Sequence, residues 1–176
     1  AREANRIPGL THPLAEDGIF ALFCEKVEIL DVSGHTRGHI AFNFRQNLKL
    51  FCGDALFAMG CGRLFEGDAK QAWQSLQRLR ALPDATQVYC AHEYTAANAR
   101  FALTVMPNNK ALEQRAERVN AQRERGQPTV PFLLGDDKLT NPFLRADDPA
   151  VAEAVGMVGA PSDEVFAELR RRKDVF

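Results

Sequence analysis

Three short segments hold the residue types that bind metal ions and activate water. SGHTRGHI contributes His35 and His39, FCGDALF contributes Asp54, and YCAHEY contributes His92. Imidazole nitrogen and carboxylate oxygen are the usual donors of hydrolytic zinc and iron sites, and such donors converge from the ends of separate elements. His35 and His39 have the i, i+4 spacing of a helical metal pair, but Gly34, Thr36 and Gly38 argue against a helix there. His35 therefore reads as a turn residue that orients its neighbours, which leaves His39, Asp54 and His92 as the candidate ligands. His12 precedes Pro13 in a loop-like stretch and is given no role. Each residue also has an ordinary structural account. Gly53-Asp54 is common turn sequence, and a single histidine after a strand is commonly a hydrogen-bonded surface residue.

The elements around these residues favour the metal reading. VEILDV alternates apolar and polar residues, and IAFNF and LKLF are β-prone runs flanking Arg45-Gln46-Asn47, the pattern of a hairpin. A turn centred between Gln46 and Asn47 sets His39 opposite Asp54 at the hairpin's open end. Asp54 comes after the strand LKLFC and His92 after the strand QVYCA, and ligands of open α/β sheets bind at strand ends. Between those strands, DAKQAWQSLQRLRAL places Ala69, Ala72, Trp73, Leu76 and Leu79 at helical spacing, with Asp68 as N-cap and Pro83 beyond the end. From Thr95 onward strand signals vanish. TAANARFALTVM, KALEQRAERVNAQRERG and PSDEVFAELRRRK read as helices, separated before the last by an irregular stretch, QPTVPFLLGDDKLTNPFL. The expected organisation is α/β over residues 1–93 and helical over residues 94–176.

Composition excludes several classes. In 176 residues, 45% hydrophobic and 26% charged content is that of an ordinary globular chain. Twenty-two basic against twenty-three acidic residues leave a net charge of -1, without the positive excess of a nucleic-acid binder, so any anion site must be local. No apolar run approaches the roughly 20 residues that span a bilayer, and AREANRIPGLTHP carries no signal-peptide core. Four cysteines without a CxxC pair fit a reducing cytoplasm; Cys24, Cys52 and Cys90 read as small buried thiols in apolar stretches, and Cys61 in MGCGR is left open.

SGHTRGHI, GDALFAMGCGRLFEG, YCAHEYTAANARFA, the NPF at Asn141 to Phe143 and the closing RRRKDVF together resemble the glyoxalase II (hydroxyacylglutathione hydrolase) family, a branch of the metallo-β-lactamase superfamily. HTxGH and GD mark only the superfamily, whereas CGRLFEG, HEYT and the basic tail are specific to glyoxalase II. The resemblance implies the C-terminal part of an αββα sandwich followed by a mostly helical, glutathione-binding domain. It implies two divalent metal ions, zinc first and iron or manganese as alternatives, with His39 on the first metal, Asp54 bridging both and His92 on the second. The reaction implied is hydrolysis of S-D-lactoylglutathione to D-lactate and glutathione by a metal-bridging hydroxide, a step of methylglyoxal detoxification. Arg63, Tyr94, Arg170 and Lys173 match the family's glutathione contacts, and Phe65 stands where some members have tyrosine. As an alternative, the basic run from Arg170 to Lys173 is a solvated helix end facing the dipole.

One departure concerns the metal site. The superfamily's THxHxDH motif is absent from the sequence, and AREANRIPGLTHPL resembles the family segment located just after that motif. The expectation is therefore the latter part of a longer enzyme, inactive by itself, with apolar sheet surface left uncovered. Two other readings stay open: a non-catalytic protein that keeps only the glutathione-binding face, and another thioester or persulfide enzyme of the same fold. The helical half and the RRRKD tail disfavour the last.

Overall fold

In a computed structural model that describes residues 4–15, 18–22 and 24–176, the alternating runs form a six-stranded sheet. β1 (Ile19–Leu22), β2 (Glu25–Asp31), β3 (Ile40–Phe44) and β4 (Lys49–Gly53) make an antiparallel meander. A two-stranded hairpin comes next, β5 (Leu56–Phe57) and β6 (Gly60–Cys61). α1 (Ala69–Arg80) then crosses to β7 (Gln87–Cys90), which lies parallel to β4. The β3–β4 register is the one expected from a turn centred between Gln46 and Asn47: Phe42 pairs with Phe51, Asn43 with Leu50 and Phe44 with Lys49. A 3-10 turn over Arg45–Asn47 and a left-handed Leu48 close it.

α1 starts where its sequence dictates. The Asp68 carboxylate accepts the Gln71 amide at 2.8 Å while the Gln71 side chain accepts the Asp68 amide at 3.3 Å, a reciprocal capping box. Ala72, Trp73, Leu76 and Leu79 are buried on the side facing the sheet and the C-terminal helices. Those helices are α2 (Thr95–Val105), α3 (Lys110–Glu124), α4 (Leu134–Thr140), α5 (Pro149–Ala154) and α6 (Ser162–Asp174).

Two expectations fail here. The stretch read as irregular contains α4 and also β8 (Phe132–Leu133), which pairs antiparallel with β7 and completes the sheet beyond residue 94. A two-residue strand is too short to show alternation, and its pairing is decided by Phe132 entering the shared core. Cys24 is not buried; it occupies the β1–β2 turn, exposed and at φ +65°.

The sheet has unlike faces. Ala41, Leu50, Cys52 and Val88 are buried against the helices. On the opposite face an aromatic row runs across three strands, with Phe44 edge-on to Phe51 at 5.5 Å and Phe51 stacked on Tyr89 at 4.7 Å. Phe51 is 40% exposed. Among the described residues no helix is long and apolar enough to cross a membrane.

The helical half grips the β5–β6 hairpin through a buried polar cluster. Asp137 of α4 is fully buried; it accepts the Met59 amide at 3.0 Å, Arg115 Nη1 at 2.6 Å and Asn141 Nδ2 at 2.8 Å. Removing one partner of a buried pair leaves an uncompensated charge, so Asp137→Ala should destabilise the fold by about 3–5 kcal/mol. Urea unfolding measures this, and a loss no larger than that of an exposed pair would show the cluster is not a structural clamp.

Candidate active site

The parallel pairing of β4 with β7 fixes where the residues after each strand emerge. Leu50 lies beside Val88 and Gly53 beside Cys90, and the Ala91 amide donates to the Gly53 carbonyl at 3.1 Å. Asp54 and His92 therefore leave the sheet at the same edge, and His92 Nε2 stands 3.0 Å from Asp54 Oδ1. The imidazole is braced by aromatic rings, stacked on Tyr94 at 4.8 Å and tilted against Phe57 at 5.9 Å.

The two histidines of HTRGH have different surroundings. His39 lies beside the end of β4, where its Nε2 accepts the Asp54 amide at 3.2 Å and lies 3.2 Å from the Cys52 carbonyl. A Cβ on residue 53 would meet this nitrogen at 2.7 Å, so Gly53, also at φ +54°, is what lets the ring sit there. The main chain thus occupies His39. His35 instead lines a cleft of about 960 Å³ together with Asp54 and His92. Its Nδ1 is 2.8 Å from the Arg63 carbonyl. A carbonyl can only accept, so Nδ1 carries the proton and Nε2 holds the lone pair, the arrangement in which a carbonyl behind the ring prepares a histidine to bind a metal.

Glycine shapes this corner too. A Cβ on Gly62 would stand 2.0 Å from the Asp54 carbonyl, so only glycine lets the segment carrying Arg63 pass. The Phe65 amide then donates to the His35 carbonyl at 3.2 Å, and the Gly67 amide to the Gly34 carbonyl at 3.1 Å.

Arg63, Tyr94, Arg170 and Lys173 line the same cleft, joined by Arg100 and Asp174, which sequence reasoning did not select. Arg170 is 5% exposed; its Nη1 donates to the Cys61 carbonyl at 2.9 Å and its Nη2 to Asp174 at 2.9 Å. Its guanidinium lies 5.2 Å over the Phe143 ring. Lys173 donates to the Ala97 carbonyl at 3.2 Å and lies 5.2 and 5.0 Å from the Phe101 and Phe176 rings. Partial burial, followed by the neighbouring charges of Arg170, Arg100 and Arg63, pulls its pKa down to about 8. Burial pushes the Cys52 and Cys61 thiols up, so neither is an activated nucleophile.

Among the described residues no three His, Cys, Asp or Glu side chains stand close enough to hold a metal ion by themselves. The donors present nevertheless fit a divalent metal in kind: a carboxylate against an imidazole, and a second imidazole whose other nitrogen is held by a carbonyl.

The sheet carries donors at its strand ends and helices against one face, and the family model described as the metallo-beta-lactamase superfamily matches residues 3–92, which sets the class. A metallo-beta-lactamase from Staphylococcus aureus shares the fold, with a TM-score of 0.55 at 20% identity over 95% of this chain and 44% of that one. The model described as the hydroxyacylglutathione hydrolase C-terminus matches residues 93–176. Hydroxyacylglutathione hydrolases from Methylococcus capsulatus and Rhodospirillum rubrum are 56% and 51% identical over all 176 residues, which span 69% of each relative. The chain belongs to the hydroxyacylglutathione hydrolase family.

The His35 geometry is directly observable. Long-range 1H–15N spectra of the neutral imidazole should show the His35 proton on Nδ1; the Nε2 tautomer would mean that the Arg63 carbonyl does not hold the ring.

Proposed function

We propose that this chain carries the substrate-binding half and part of the metal centre of an enzyme that hydrolyses S-D-lactoylglutathione to D-lactate and glutathione. The observation that supports this best is one cleft lined both by His35, Asp54 and His92 and by Arg63, Arg170 and Lys173. Glutathione presents two carboxylates, and a local cation cluster in a chain of net charge -1 suits them.

His35, Asp54 and His92 are the residues that would hold metal. His39 exchanges roles with His35 relative to the sequence reading, because its Nε2 is committed to the main chain of β4 while His35 Nε2 is left with its lone pair. When bound, divalent metals supply a water-derived nucleophile at neutral pH and polarise the thioester carbonyl. The protein's own part is binding and orientation. Arg63 and Lys173 attract the carboxylates, Tyr94 and Phe57 brace His92, and Arg170 holds the Cys61 carbonyl. No protein nucleophile is needed. Zinc, iron and manganese all suit these donors. Fewer than three donors per metal come from these residues, so the chain alone is expected to lose metal on dialysis and to turn over negligibly. A cytoplasmic location and a two-part organisation with a boundary near residue 93 belong to the same proposal.

Titration calorimetry of the chain with glutathione should show saturable binding, weakened in Lys173→Ala; no binding would overturn the reading. In the metal-loaded enzyme, Lys173→Ala should raise KM with little change in kcat, because the group touches a remote part of the substrate. His35→Ala should lower metal retention more than His39→Ala does, and the reverse order would restore His39 as ligand.

The pH dependence has a definite sign. Lys173 is cationic below about 8 and neutral above it, so glutathione affinity should fall as pH rises through about 8. Lys173→Arg should flatten that fall, and an unchanged profile would assign the proton to another group.

A further inference from the structure

The cationic side of the cleft already contains one anion of its own. Asp174 is the acid lining the cleft beside Arg63 and Arg170, the other cleft aspartate, Asp54, being paired with His92. Asp174 Oδ1 accepts from Arg170 Nη2 at 2.9 Å and stands 3.6 Å from Arg63 Nε. Helix stability does not call for an acid there. Asp174 is the last residue of α6, where the dipole and free carbonyls disfavour negative charge, and its pairing with Arg170 has the acid C-terminal to the base, the weaker order. Its side chain is 41% exposed, so contact with the two arginines rather than burial holds it. Arg170, by contrast, is buried, and its Nε has no hydrogen-bond partner among the described residues. The seat thus holds a displaceable carboxylate against a fixed, buried guanidinium.

We propose that Asp174 is a built-in placeholder whose carboxylate occupies the position between Arg63 and Arg170 that a substrate carboxylate takes, and which the substrate must displace. The identity of that substrate as a glutathione thioester rests on the function proposed above; the seat itself rests on the contacts of Asp174. Binding then proceeds only from the fraction of molecules in which Asp174 has swung away, which lowers apparent affinity by that fraction. The device favours release of the glutathione product, which carries the same carboxylates as the substrate. It also favours carboxylate-bearing thioesters over uncharged ones, because an uncharged ligand cannot replace the lost ion pairs.

The test is a change of affinity in the direction opposite to ordinary damage. Calorimetric titration of the wild-type chain, Asp174→Asn and Asp174→Ser with glutathione, and separately with inorganic phosphate, should give about fivefold tighter binding of both ligands in both variants, the size of one partly exposed charge pair. Glutathione esterified at its glycyl carboxylate should show no such gain. Phosphate binding that is unchanged or weaker in both variants would overturn the placeholder and leave the glutathione reading standing. Tighter phosphate binding with no glutathione binding in any of the three proteins would support the placeholder and remove glutathione as the ligand.

Discussion

One parallel pairing carries the architecture of the site. Because β4 and β7 run in the same direction with Gly53 beside Cys90, the residues after each strand must leave the sheet at one edge. An antiparallel pairing would have put Asp54 and His92 at opposite ends. α1 is the crossover that makes the parallel arrangement possible, since parallel strands cannot be joined by a tight turn. Its capping box and buried apolar stripe therefore serve the site indirectly, by fixing the direction in which β7 enters the sheet.

The other half of the chain reaches the site through main-chain groups of residues 58–63. Asn98 of α2 donates to the Ala58 carbonyl at 3.1 Å, Asn141 after α4 to the Gly60 carbonyl at 3.0 Å, and Arg170 of α6 to the Cys61 carbonyl at 2.9 Å. Asp137 takes the Met59 amide, and Met59 itself is at φ +55°. A left-handed methionine is held there because three helices hold the carbonyls on either side of it. Four residues after Met59, the Arg63 carbonyl meets His35. The helical region is thus both a wall of the cleft and the frame that positions one of its imidazoles.

Charge is distributed to the same end. A nearly neutral chain gathers Arg63, Arg100, Arg170 and Lys173 on one cleft, where partial burial and then repulsion from the three arginines lower the pKa of Lys173. Burying Arg170 is tolerable because the Cys61 carbonyl, Asp174 and the face of Phe143 each offset part of its desolvation.

Much of this is local and therefore legible in the sequence. The β3–β4 register comes from turn length, the start of α1 from Asp68 and Gln71, and the strand-end positions of Asp54 and His92 from alternation and length. Family motifs selected Arg63, Tyr94, Arg170 and Lys173, which share the cleft. Tertiary structure alone decided the rest. Nothing in HTRGH says which imidazole is occupied by main chain, because the answer depends on Gly53 and on the Arg63 carbonyl, distant in sequence from His35. β8 was hidden because two residues show no period, and Arg100 and Asp174 because their roles arise only when α2 and α6 are brought against the same cleft. Periodicity and capping report what a chain does with its neighbours in sequence, while the orientation of a ring and the filling of a charge seat are set by contacts that only folding creates.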